Sequence, residues 1–296
     1  MDGLSRWRSP RGWIAIAILV AAWFAETPVE GAIEHPVARV FGLHMVQHGA
    51  MQAAPYGLLM IIRLAWQIGV AALICAALGR SLWAFPVRGR GSLAHLAQGG
   101  VIGLAVMVAA ILGIIGLGAA HAGIASQSIG SALGHGVGWL VFDLTGATGE
   151  ELYGRLSILL VAAWFLGWRG AIVVSGLMFS AIHLDNPGVN AVWLLRLFLQ
   201  GALLAWAVYR TGSIWWSVGY HTGWNWASAP LFGAAGSGYL NQGHVFDFTP
   251  VGPGWITGGA VGPEGSAFAF AAVLTAATLL WVTTSAFTGR DIAEGG

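Results

Sequence analysis

Long apolar runs, each closed by a short polar cluster, set the pattern of this chain. A bilayer-crossing helix needs about 20 mostly apolar residues. Stretches near that length predict eight spanning helices, at about 11–27, 56–79, 99–119, 148–167, 170–184, 191–209, 213–230 and 266–287. The fold class they predict is all-α, a polytopic transmembrane bundle making one integral-membrane domain over residues 1–296. The run 131–146 is too short to span alone and reads as an outer amphipathic or re-entrant helix. If it spans, every later helix inverts. The stretch 231–265, with its glycines and Phe232, Tyr239, Phe246, Phe248 and Trp255, predicts an irregular outer loop over the bilayer surface.

Composition supports this reading. The chain is 57% hydrophobic and 8% charged, with a mean hydropathy of +0.73, whereas soluble domains carry about 25% charged residues. The net charge of +1 says nothing about nucleic acid, but no basic patch that would bind it is present, so no nucleic-acid partner is expected. With Cys75 as the single cysteine there is no intrachain disulfide. All thirteen basic residues are arginine, and with the abundant Ala and Gly this points to a bacterial source and the inner membrane. Arg6, Arg8 and Arg11 precede an apolar core, as in a signal peptide. The bulky Ala22-Trp23-Phe24-Ala25 is a poor cleavage site, so a retained anchor is expected. With the N-terminus inside, these three and Arg80, Arg88, Arg90, Arg169, Arg210 and Arg290 all fall on the cytoplasmic side. Glu26, Glu30, Glu34, Asp185, Asp247 and Glu264 fall outside with Arg39. An N-in, C-in topology follows.

Against that background, Glu150-Glu151-Leu-Tyr-Gly-Arg155 is unusual, because charges inside a spanning helix are costly and mark function by default. Residues four apart share a helix face, so Glu151 and Arg155 are expected to pair. Glu150 points about 100° away around the axis, between Gly146 and Gly154, and is left free for chemistry. Asp143 is the third carboxylate near this region. His183 closes the fifth predicted helix in Phe179-Ser-Ala-Ile-His183, and the seventh carries His221-Thr-Gly-Trp-Asn225. One reading gathers Glu150 and His183 around a water, with His221 and Asn225 around a substrate carbonyl. The other makes them separate helix–helix hydrogen bonds. The predicted topology sets Glu150, His183, His221 and Asn225 at similar depth near the outer face, which favours a shared water-filled cavity.

Those three motifs, Glu150-Glu151-x-x-x-Arg155, Phe179-x-x-x-His183 and His221-x-x-x-Asn225, resemble the ordered motifs of the CPBP family. That family comprises the CAAX proteases and bacteriocin-processing (Abi) enzymes, with the Ras-converting CAAX endopeptidase as a eukaryotic branch. The resemblance covers about residues 145–230. It implies a glutamic intramembrane endopeptidase with an eight-helix core. Glu150 would activate water with His183 as its partner, and His221 and Asn225 would form an oxyanion hole. Glu151, Arg155 and Phe179 would support them. No cofactor is expected. The zinc alternative would use Glu150, His183 and His221, but the His-Glu-x-x-His signature is absent. Because the predicted cavity opens outward, the expected partner is a secreted or membrane-anchored peptide or protein in the lipid bilayer. A non-catalytic immunity or assembly factor that binds a peptide is the rival function. A transporter is disfavoured by the lack of an inverted repeat.

The remaining polar residues carry blander expectations. Arg63 and Arg196 read as buried contacts or interface anchors. His44 and His48 read as part of an interfacial helix before the second span, in preference to half a metal site, and Asp143 either as a partner for His135 or Arg155 or as a plainly exposed interfacial residue. His121, His135 and His244 have no evident partner. Trp224 and Trp226 read as packing residues beside Asn225.

Overall fold

The computed structural model describes residues 3–83, 86–87 and 91–284; Arg88, Arg90 and Arg290 lie outside these described residues. A short helix α1 (Gly3–Arg8) leads into α2 (Pro10–Phe41), and a small hairpin of β1 (Val46–Gln47) and β2 (Ala50–Met51) leads to α3 (Ala53–Ala77). Next come α4 (Ser92–Gly116) and β3 (Ala120–Ile124). Helix α5 (Ile129–Glu151) then passes through a π-helical stretch (Leu152–Ile158) into α6 (Leu159–Ala181). The rest is α7 (Ala191–Thr211), α8 (Trp215–Trp226) with a π-turn at Ala227–Leu231, β4 (Phe246–Pro250), α9 (Gly254–Thr257) and α10 (Ala267–Thr283). The molecule is an all-α membrane bundle. Among the described residues, five helical segments are long and apolar enough to cross a membrane, counting Ile129–Ala181 as one, and Ala267–Thr283 is a shorter apolar helix.

The structure corrects several expectations. The run 131–146 is neither a separate outer helix nor re-entrant. It is the first part of a continuous rod that carries Glu150 and Glu151 near its middle. At 1.5 Å per residue, Ile129 to Leu166 measures about 57 Å, well beyond the hydrocarbon thickness. Gly167 ends this rod with φ 68° and ψ 179°, a conformation open to glycine, and the chain turns into the second half of α6. Two predicted spans thus meet at Gly167, and the inversion tied to 131–146 does not arise. The first helix runs on to Phe41 through Pro28 and Pro36. Glu26 and Glu30 therefore sit on a helix, against α3, and not in a loop after it. His44 and His48 are not on a helix: they flank β1, and His48 has a positive φ of 51°. The stretch 231–265 carries β4, which pairs antiparallel with β3 from Ala120↔Pro250 to Ile124↔Phe246.

Helices α4 and α8 make the tightest contact. A Cβ added at Gly99 would stand 2.0 Å from the Trp216 carbonyl oxygen, and one at Gly103 would stand 2.1 Å from that of Tyr220. In return, a Cβ at Gly219 would lie 2.0 Å from the Leu96 oxygen and one at Gly223 would lie 2.3 Å from that of Gly100. Both helices thus present glycines four apart, and the backbones touch, as small residues allow in a membrane where apolar attraction between helices is weak. This contact positions α8, which is short and rich in tryptophan and is buried from Trp216 to Trp224. Two apolar clusters flank it. One joins α2, α3 and α6, and the other joins α4, α7, α8 and α10.

Gly103→Val is expected to destabilise the protein by about 1–3 kcal/mol through overpacking. Gly69→Ala, at a position with nothing within 4 Å, is expected to be neutral. Thermal unfolding of the two variants in detergent measures the difference.

Candidate active site

Glu151 and Arg155 are fully buried, and the Arg155 Nε stands 3.0 Å from Glu151 Oε2. The guanidinium lies over the Phe179 ring, 4.3 Å from its centroid, a cation–π contact strengthened by the dry surroundings. The same ring meets His183 edge to face at 5.0 Å and His221 at 5.7 Å. Phe179 is thus the platform that fixes one guanidinium and two imidazoles relative to each other. The π-helical stretch from Leu152 holds Arg155 in this packing, and the Gly154 carbonyl accepts a hydrogen bond from Ser175 Oγ at 3.0 Å. Such π-segments recur at functional sites because they shift the register of a helix face.

Both histidines are oriented through Nδ1. That of His183 lies 2.8 Å from the Phe179 carbonyl oxygen, which accepts from Nδ1–H. That of His221 lies 3.0 Å from Glu151 Oε1, which likewise accepts. A carbonyl or carboxylate on Nδ1 fixes the ring and leaves Nε2 for chemistry. His221 Nε2 is 3.9 Å from Glu150 Oε2, and that oxygen has no hydrogen-bond partner among the described residues. Glu150 keeps 25% of its side chain exposed, against 0% for Glu151. Glu151 is thus sealed in, with an ion pair to Arg155 and a hydrogen bond to His221, and Glu150 keeps part of its side chain open to the space beside it.

That space is a cavity of about 620 Å³, lined by Glu150, His183, His221 and Asn225 together. Its walls come from α2, α3, α5, α8, the turn after α6 and the 231–265 stretch, which contributes Tyr239, Asn241 and Glu264. Among the described residues, no group of three His, Cys, Asp or Glu side chains is placed to hold a metal ion.

Several features escaped the sequence reading. His221 was expected beside Asn225 at a substrate carbonyl, and its tie to Glu151 was not. Arg63 donates to Glu30 at 2.7 and 2.9 Å, and Gln67 donates to Glu26 at 2.7 Å. Glu26–Glu30 and Arg63–Gln67 are both four-residue spacings, so two matching polar ladders were the readable signal. Asp143 orients neither His135 nor Arg155. It lines the cavity, and its Oδ2 has no hydrogen-bond partner among the described residues. His135 meets Gln127 at 3.2 Å, and His244 meets Asp247 at 2.7 Å. Arg196 pairs with Glu264 at 2.8 Å, so Glu264 is buried and not loose in an outer loop. Trp224 packs against Tyr220, and Trp226 donates to the Gly136 carbonyl.

Arg155→Met is expected to cost about 3–5 kcal/mol, because it strands the buried Glu151 charge. The double variant Arg155→Met with Glu151→Leu should recover part of that loss. Apparent melting temperatures of both variants provide the check.

Residues 132–227 match the family model described as type II CAAX prenyl endopeptidase Rce1-like. The matched stretch encloses Glu150, His183, His221 and Asn225. No curated protein and no solved structure matches the chain.

Proposed function

We propose, for a chain that belongs to the Rce1-like CAAX endopeptidase family through residues 132–227, a glutamate-driven hydrolysis of peptide bonds at the membrane. Family membership makes this integral-membrane protein a CAAX-type protease in general terms. The observation that carries the finer reading is the convergence of Glu150, His183, His221 and Asn225 on one cavity.

In this reading a water sits against Glu150, within reach of the His183 imidazole. Glu150 takes a proton from the water as its oxygen attacks the carbonyl carbon of the scissile bond. Asn225 Nδ2–H and His221 Nε2–H donate to the oxyanion. Glu151 at Nδ1 favours the His221 imidazolium that such donation requires. The C–N bond then breaks as the leaving amine takes the proton back from Glu150. Each heavy atom and proton is accounted for without a metal, and chelators decide whether one takes part. The cradle below, Glu151, Arg155 and Phe179, positions and does not react.

Helix direction supports an outward opening. Arg6, Arg8, Arg11, Arg80, Arg169 and Arg210 lie at the end of the bundle opposite the cavity-lining Met45, Asp185 and Tyr239. By the preference of cytoplasmic segments for arginine, the termini are inside and the cavity faces away from the cytoplasm, in a bacterial inner membrane. The substrate class is then secreted or membrane-anchored peptides, and not tails presented from the cytosol.

The test is cleavage of a reporter-peptide library by purified protein. Glu150→Gln and Glu150→Ala are expected to abolish turnover while leaving the melting temperature near wild type. Asn225→Ala is expected to lower kcat by about 10²–10³, as for loss of one oxyanion donor. Activity should survive EDTA and phenanthroline. No turnover by the wild-type protein on any peptide would instead favour the non-catalytic binding role, turnover retained by Glu150→Gln would remove Glu150 as the base, and loss under chelators would favour zinc.

A further inference from the structure

The cavity holds a second carboxylate that the proposed hydrolysis leaves unused. Asp143 lies on α5 seven residues before Glu150, two turns along the same face. It is 5% exposed, its Oδ2 has no hydrogen-bond partner among the described residues, and it lines the cavity. A buried, unpaired acid is costly and is normally matched by a cation or a donor. The charged group that acts on it, His221, already carries Glu151 on its Nδ1. Arg63, elsewhere in the cavity wall, is held by both oxygens of Glu30 and stands 3.6 Å from Glu26. Of the other lining acids, Glu264 has Arg196, Glu26 has Gln67, Glu150 is the proposed base, and Asp185 is exposed and solvated.

Two aromatic rings lie in the same cavity wall, Trp139 fully buried and Tyr56 half-buried. Trp139, one turn before Asp143 on α5, donates its indole N–H to the Gln242 carbonyl at 3.0 Å, which fixes the ring. Tyr56 of α3 packs against Trp139 with centroids 5.2 Å apart. Both line the same cavity. A carboxylate beside two aromatic rings suits an ammonium or guanidinium, through charge pairing and attraction to the ring faces.

We propose that Asp143, with Trp139 and Tyr56, forms a specificity subsite for a lysine or arginine side chain of the substrate peptide. This rests on the reading of Glu150 as the hydrolytic centre. Seven helical residues advance about 10 Å, and an extended peptide covers that distance in about three residues. The cationic side chain therefore lies about three residues from the scissile bond. Asp143 is a recognition residue in this scheme and takes no part in bond breaking.

Binding tests this apart from cleavage. N-acetylated, fluorescein-labelled peptides of Ala, Leu and Gly, carrying one lysine or one norleucine walked along the sequence, are titrated by anisotropy into detergent-purified Glu150→Gln protein. Acetylation removes the terminal amine as a rival cation. The lysine peptide is expected to bind at least tenfold tighter than its norleucine twin at one position. Asp143→Asn and Asp143→Ser, added to the same background, are expected to erase that advantage while norleucine binding stays unchanged. No lysine advantage at any position would overturn the proposal, even if neither Asp143 variant folds. An advantage that persists in a folded Asp143 variant would overturn it as well. A lysine preference in a protein whose Glu150 form cleaves nothing would uphold the subsite and remove the hydrolytic reading.

Discussion

One buried carboxylate organises the site. Glu151 has no solvent contact and spends one oxygen near Arg155 and the other on His221. A charge so deep persists only when its partners satisfy it. Satisfying it couples three helical segments: the π-stretch after α5, the second half of α6 through Phe179, and α8. Once Glu151 is engaged in this way, its neighbour Glu150 is turned toward the cavity by the roughly 100° step between adjacent helix positions. The division of labour between adjacent acids is therefore a consequence of helical geometry and one ion pair.

The glycine-paved contact between α4 and α8 completes this constraint from the other side. Helix α8 carries His221 and Asn225, and its Trp216, Tyr220 and Trp224 are buried in the apolar core. Backbone contact at Gly99, Gly103, Gly219 and Gly223 fixes it. The imidazole of His221 then arrives where Glu151 can orient it. The Rce1-like match spans α5 through α8 but not α4, so the matched stretch leans on a wall from outside itself.

Much of the bundle was legible because hydrophobic length is a strong signal in a membrane chain. The break at Gly167 fell between two predicted spans, and the Glu151–Arg155 pair followed from four-residue spacing. What escaped had a common cause. Polar residues facing a neighbouring helix look, in one dimension, like loop residues. Glu26 and Glu30 were read as the outer end of a short first helix, although Arg63 and Gln67 hold them along α2. The run 131–146 looked too short because Asp143, Thr145 and the glycines around them broke its apolar length. In three dimensions Asp143 turns to the cavity, and Thr145 bonds back to the Val141 carbonyl of its own helix. The tie between His221 and Glu151 spans seventy positions in sequence, and no local pattern announces such a contact.

The separation of the two adjacent acids is tested most directly by chemical labelling. Folded protein is treated with a small diazo reagent that esterifies carboxyl groups, and the esters are mapped by mass spectrometry while peptide cleavage is followed in parallel. The account predicts esterification at Glu150 with proportional loss of cleavage, and none at Glu151 until the protein unfolds. Equal labelling of the two, or complete labelling of Glu150 with cleavage intact, would contradict it.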